Sequence, residues 1–136
     1  MANALYDKGR EAFITGAINA STDTIKAILI DTASYTVNLA TDQFLSTIAG
    51  GAIIGTAVTL SSKTVAAGVF DAADISFTGL SGAPTIEALV IYKDTGSSAT
   101  SNLIAYIDTA TGLPVAAAAT QVDVTWDNGA NKIFKL

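Results

Sequence analysis

A chain of 136 residues that is 50% hydrophobic, holds no His and no Cys, and sets seven Lys and Arg against twelve Asp and Glu for a net charge of −5 excludes several classes at once. Without imidazole or thiol there is no Ser-His-Asp triad, no Cys nucleophile with a His base, no structural zinc site and no disulfide framework. The hydrophobic content excludes a disordered chain, the scattered cations make no basic stripe for nucleic acid, and the apolar runs, such as Ala27 to Ile30 and Ala88 to Tyr92, are far shorter than the roughly 20 residues that cross a bilayer.

In chain order, residues 1–17 read as a short helical arm. Asn3 is the expected N-cap, Leu5, Ala12 and Phe13 share a face, and Gly9 leaves room for close approach. Asp7 and Lys8 each meet an opposite charge three residues on, in Arg10 and Glu11, and Gly16 is a natural stop. These charges do not suit a signal or transit peptide. A helix this short is marginal alone and needs a docking surface.

Residues 24–136 form a β-rich body. Strands are expected at Thr24 to Ile30, Ser34 to Val37, Ile53 to Leu60, Thr64 to Phe70, Ile75 to Thr78, Ile86 to Lys93, Leu103 to Asp108, Gln121 to Trp126 and Lys132 to Phe134. Phe44 to Ile48 fits a short strand or one helical turn. Breakers stand between the runs: Gly50-Gly51, Ser61-Ser62, Gly79, Ser81 to Pro84, Gly96 to Ser98, Gly112 to Pro114 and Asp127 to Gly129. Val122, Val124 and Trp126 alternate with polar residues, and Asn128-Gly129 can turn that run back into Ile133-Phe134 as a hairpin. Trp126 reads as a core or hairpin anchor. Val115 to Thr120 is too short and too hemmed in for a helix and reads as a loop or extended contact arm. The class is therefore a single-domain antiparallel β-sandwich or barrel, jelly-roll or immunoglobulin-like, with a short N-terminal α-helix.

Candidate chemistry is sparse. Asp94-Thr95-Gly96 follows an apolar strand, as the paired turns of aspartic peptidases do, and Asp31-Thr32-Ala33 and Asp108-Thr109-Ala110 are related to it. Lys93 directly before Asp94 draws that turn toward solvent. The simpler reading is that these Asp and Thr side chains bond nearby backbone at strand ends. Asp71 and Asp74 flank two alanines without a calcium-loop pattern, Asn19-Ala20-Ser21 matches a glycosylation acceptor without a signal peptide, and Gly50-Gly51 lacks the Lys of a phosphate loop. No catalytic, cofactor-binding or metal residue is assigned, and no enzymatic activity is expected.

Several stretches together carry a resemblance: ALYDKGREAF from Ala4, YTVNLATDQFLSTI from Tyr35, EALVIYKDTG from Glu87, LIAYIDTATGLPV from Leu103 and WDNGANKIFKL from Trp126. They resemble a group of small proteins encoded in the structural gene modules of tailed bacteriophages, over nearly the whole chain. By context the group is similar to capsid decoration (cement) proteins, and otherwise to neck or tail components. The chain departs from it at Ala116 to Ala119, where more polar, Gly-containing residues are expected.

Composition points the same way. Only 14% of residues are charged, against roughly 25% in a typical soluble domain, so the surface is built from small polar side chains or is covered by something else. The resemblance implies a homo-oligomer, a trimer, docked on the major capsid protein or another virion protein, made in the host cytoplasm and carried on the capsid surface, with no nucleic-acid or membrane contact. Contact elements are expected at the helix, through Leu5, Tyr6 and Phe13, and at the apolar C-terminal strand, through Ile133, Phe134 and Leu136. A neck or tail subunit is the second reading, and a peptidase built on Asp94 the third.

Overall fold

In a computed structural model that describes residues 3–110 and 112–136, the chain is mainly β, with antiparallel sheets and one short α-helix near the N-terminus. The strands are β1 (Ala4–Leu5), β2 (Ile25–Ile30), β3 (Ile53–Thr59), β4 (Thr64–Ala66), β5 (Val69–Asp71), β6 (Ile75–Phe77), β7 (Ala88–Lys93), β8 (Leu103–Ile107), β9 (Val122–Val124) and β10 (Phe134–Lys135); the helix is α1 (Asp7–Ile14). A five-stranded sheet runs in the order β1-β8-β7-β2-β3, a three-stranded one β10-β5-β4, and β6 pairs with β9. The layering expected of a sandwich is thus present in uneven form, one large sheet against two small ones.

The sequences of the inner strands explain why. IKAILI, ALVIYK and LIAYI are almost wholly apolar, so neither face of the large sheet can be left to water. On one face Ala27, Leu29, Leu89, Ile91 and Ala105 pack with Phe70, Phe77 and Trp126 of the small sheets and their flanks. On the other, Ile28, Ile30, Val90 and Leu103 pack with Tyr6 from the N-terminal segment and Tyr35, Ile48 and Ala52 from the long connection 31–52. That connection holds a 3-10 turn at Leu45–Thr47 and another at Gly50–Ala52.

The helix sits on β8 through Gly9. A Cβ there would lie 2.6 Å from the Leu103 carbonyl oxygen and 3.2 Å from Ile104 Cα, so only glycine lets the two backbones meet. Ile104 is itself irregular. Ile91 opposes Ala105 and Tyr92 opposes Leu103, which leaves Ile104 as a bulge, and its carbonyl accepts the Tyr6 N–H at 2.9 Å. The expected helical ion pairs are present: Arg10 to Asp7 at 2.8 Å and Lys8 to Glu11 at 2.9 Å. Gly16, with φ +79°, closes the helix end as the sequence implied.

Four expectations need correction. Asn3 does not cap the helix, because β1 and Tyr6 intervene; its Oδ1 accepts the N–H groups of Asp108 and Thr109 at 3.0 and 2.9 Å, tying the N-terminus to the end of β8. Ser34 to Val37 is not a strand, since polar hooks around Asn38 and Asp42 bend it into the covering connection. Thr64 to Phe70 is two strands, reversed at Ala67 and Gly68 with φ of 52° and 77°, the geometry of a tight hairpin. The Asn128-Gly129 hairpin does not form: β9 pairs with β6 and β10 with β5. Trp126 explains the last of these. Its N–H donates to Asp74 Oδ1 at 2.9 Å and its Nε1 to the Ala73 carbonyl at 3.0 Å, which holds the chain along the β5–β6 segment.

A buried polar chain fastens the cover. The hydroxyls of Tyr6 and Tyr35 are 3.0 Å apart, Tyr35 donates to Asp42 Oδ2 at 2.7 Å, and the Asn38 N–H donates to the same oxygen at 2.8 Å. Tyr6 is 0% exposed, and burial is the main reason its hydroxyl and that of Tyr35 titrate well above the ordinary phenol range.

Two substitutions test this architecture by chemical denaturation. Gly9→Ala should cost about 1–3 kcal/mol by forcing α1 off β8, while Ile14→Ala, at a helix position 85% exposed, stays within about 0.5 kcal/mol. Tyr35→Phe should cost about 1–3 kcal/mol, because it removes a donor from a buried carboxylate.

Candidate functional site

Of the expected contact residues, Leu5, Tyr6 and Phe134 are consumed by the chain's own core. Phe13 and Ile133 are half-buried against that core, and Leu136 is 58% exposed. The structure does bring the two expected elements together. The rings of Phe13 and Phe134 are 6.0 Å apart at 55°, and Phe134 stacks on Phe70 at 5.1 Å and 22°. Leu136 is held there by its N–H, which donates to the Gly68 carbonyl at 2.9 Å.

A groove of about 310 Å³ opens beside this aromatic cluster. Phe13, Ile18, Val65, Phe70, Phe134 and Leu136 supply its apolar lining, and no charged side chain lines it. Val65, 53% exposed, comes from the all-exposed strand β4. Sequence reasoning missed Val65 by reading Thr64 to Phe70 as one strand; the signal was Ala67-Gly68 in its middle. A larger cleft of about 1270 Å³ runs between β1 and β8 on one side and the segment Val122 to Lys135 on the other, over a floor that includes Leu29, Leu89 and Ile107.

Charges are gathered elsewhere. Lys26 lies 2.7 Å from Asp94, and Lys93 lies 3.1 Å from Asp23, at the shared end of β2 and β7. Lys63 donates to the Asp23 carbonyl, closing that cluster. The bond from Lys26, then that from the Gly96 N–H at 3.0 Å, hold the Asp94 carboxyl below the ordinary carboxylate range. A carboxylate dyad sharing a proton needs one member shifted upward instead. Asp31 and Asp94 also follow opposite ends of the antiparallel pair β2–β7, about 20 Å apart, so they form no dyad within one chain. Their local bonding is that of strand-end turns: Asp31 Oδ1 accepts the Ala33 N–H at 3.0 Å as Asp94 Oδ1 accepts that of Gly96. Asp74 serves Trp126, and among the described residues no three acidic side chains converge where a metal could sit. Among those residues, too, no helix is long and apolar enough to cross a membrane.

The chain matches no protein-family model, and comparison with curated proteins gives no significant match.

The Lys26–Asp94 pair sets a pH dependence. Asp94 titrates lower in the folded state, so its contribution is present above the unfolded value of about 3.9 and is lost as pH falls through the depressed one. Lys26 is raised, chiefly by its bond to Asp94, so its contribution is present below about 10.4 and is lost as pH rises through the raised value. Asp94→Asn should cost about 0.5–1 kcal/mol at neutral pH and flatten the acid limb of a stability–pH profile, with stability measured by denaturant unfolding across that range.

Proposed function

We propose that this chain is a structural component of a tailed-phage virion, a capsid decoration (cement) protein that stabilises the head by docking on major capsid subunits. The observation that carries the reading is the groove lined by no charged side chain and flanked by exposed Val65 and Leu136, while the ion pairs among the described residues lie elsewhere. Large apolar side chains left at the rim of such a groove gain from being covered. The resemblance of nearly the whole chain to phage structural-module proteins suggests the kind of surface that would cover them.

The mechanism is mechanical. The groove and the β4–β5 hairpin press on one capsid subunit while other parts of the surface reach its neighbours, so that shell expansion must break both contacts. About 1,000 Å² or more of buried surface is needed for such a contact to be specific. No bond is made or broken, and the stabilisation appears only in the assembled particle.

Purified protein mixed with capsids stripped of it should rebind in many copies per particle and raise their melting temperature. Val65→Asp and Leu136→Asp, both at exposed positions, should fold normally and weaken rebinding about tenfold or more. Wild-type protein that neither rebinds nor raises the melting temperature overturns the reading. A dozen copies or fewer per particle would move the chain to the neck or tail.

A further inference from the structure

The loop between Trp126 and β10 carries a motif that the fold leaves without a turn to make. We propose that it is a self-modifying site, at which the Gly129 nitrogen attacks the side-chain amide of Asn128 and converts that residue with time to aspartate and isoaspartate. This does not rest on the virion reading.

Asn128-Gly129 is the one Asn-Gly pair in the chain, and the hairpin it would suit does not form. Nor does Gly129 adopt the positive φ that favours glycine. What its bare Cα provides is access, since no side chain on residue 129 shields its nitrogen from the side chain before it. Only the Asp127 carboxylate stands against it, 2.7 Å from where a Cβ would be, and that is the movable end of an exposed side chain.

Attack needs an unbonded amide and an unbonded nitrogen in the same dipeptide. The chain has six asparagines, and bonding disarms five of them. The Oδ1 atoms of Asn3, Asn19 and Asn38 accept backbone N–H groups of Asp108 and Thr109, of Ser21 and of Ala40. After Asn102 and Asn131 the following nitrogens, of Leu103 and Lys132, donate to the Gln43 and Gly129 carbonyls at 2.9 and 3.4 Å. Among the described residues neither the Asn128 side chain nor the Gly129 N–H has a hydrogen-bond partner, and both residues are exposed. The loop is fixed only at its ends, where the Trp126 N–H meets Asp74 and the Ile133 N–H donates to the Phe70 carbonyl at 3.2 Å. The pair can therefore turn into an attacking geometry without disturbing the core.

Water is the only co-reactant. The Gly129 nitrogen bonds to Asn128 Cγ and gives its proton to solvent. The Cγ–Nδ2 bond breaks, the departing nitrogen takes a proton and leaves as ammonia, and a cyclic imide remains. Water then opens the ring: attack at Cγ gives aspartate, and attack at the Asn128 carbonyl carbon gives isoaspartate, with the main chain routed through Cγ. Either product adds one negative charge. Asn128 lines the large cleft together with three cationic side chains, Arg10, Lys132 and Lys135, and two anionic ones, Asp123 and Asp127. The new carboxylate cancels that cationic surplus and leaves the apolar floor untouched.

The purified full chain, held in warm, mildly alkaline buffer, should accumulate a more acidic form on anion exchange. Peptide mapping should place the change at residue 128, as a mixture of aspartate and isoaspartate, and Asn128→Asp should co-elute with the aged form. Gly129→Ala should slow conversion about tenfold or more, because a methyl on residue 129 crowds the attacking nitrogen, with circular dichroism unchanged. A second readout needs no variant: the folded chain should convert within about tenfold of the rate in denaturant, since the loop withholds neither group. A folded rate slower than that, modification that begins at another asparagine, aspartate formed without isoaspartate, or a Gly129→Ala chain that converts as fast as wild type overturns the proposal.

Discussion

The strands β2, β7 and β8 have no solvated face, and the rest of the chain is arranged to meet that condition. Their side chains alternate between two cores, with Leu29, Leu89 and Ile91 on one side and Ile30, Val90 and Leu103 on the other. An antiparallel sheet usually keeps one face polar and wet. Because this one does not, a second sheet alone could not satisfy it, and each face has its own cover. The small sheets β4-β5-β10 and β6-β9 lie over one. The connection 31–52 and Tyr6, from the N-terminal segment, lie over the other, where regular secondary structure is almost lacking.

A cover without strands needs another source of fixed geometry. Few residues in 31–52 bond to the sheet by backbone, through Leu45 to the Ser101 carbonyl, Leu103 to the Gln43 carbonyl and the bridge between Phe44 and Asn102. Over residues 31–42, before these contacts, the register of the cover is set by the bond from the Asp7 N–H to the Leu39 carbonyl and by the chain of bonds from Tyr6 through Tyr35 to Asp42. Buried polar groups earn such a role because misplacement leaves them unsatisfied, a penalty that apolar packing does not impose. Tyr6 belongs to the segment that Gly9 seats on β8, so one buried hydroxyl links helix, sheet and cover.

Legibility in the sequence divides along the same line. β2, β3, β7 and β8 are visible because their patterns are local and their breakers, such as Gly50-Gly51 and Gly96, stand at the joints. The helix pairs and the Asp turns at 31 and 94 are visible because each is made within four residues. What the sequence hides is choice of partner. Val122 to Trp126 has a good turn after it and still pairs with β6, because Trp126 gains more from Ala73 and Asp74 than from folding back. Leu5 and Tyr6 look like a helical face but lie in a strand and in the turn before the helix, an outcome decided by the bulge at Ile104 a hundred residues away. Half of the candidate groove was readable on the same terms. Phe13, Phe134 and Leu136 stand out as apolar residues near the ends of a charge-poor chain, whereas Val65 joins them only once the hairpin at Ala67-Gly68 is known.

The distribution of charge gives these surfaces their contrast. At the shared end of β2 and β7 the cations Lys26, Lys63 and Lys93 are engaged with Asp94 and Asp23, and on α1 Lys8 and Arg10 are engaged with Glu11 and Asp7. Five of the seven cations are therefore spent locally, and the net negative charge lies on a background of Thr, Ser and Ala. Exposed ion pairs of this sort add little stability each. Their larger effect is to confine strong fields to the strand ends and the helix, leaving the groove beside Val65 and Phe134 without a charged side chain. A neutral surface loses little solvation when it is covered, and exposed valines and leucines then gain about 25 cal/mol for each Å² removed from water. In a chain with so few charges, the places that lack them are where association is least opposed.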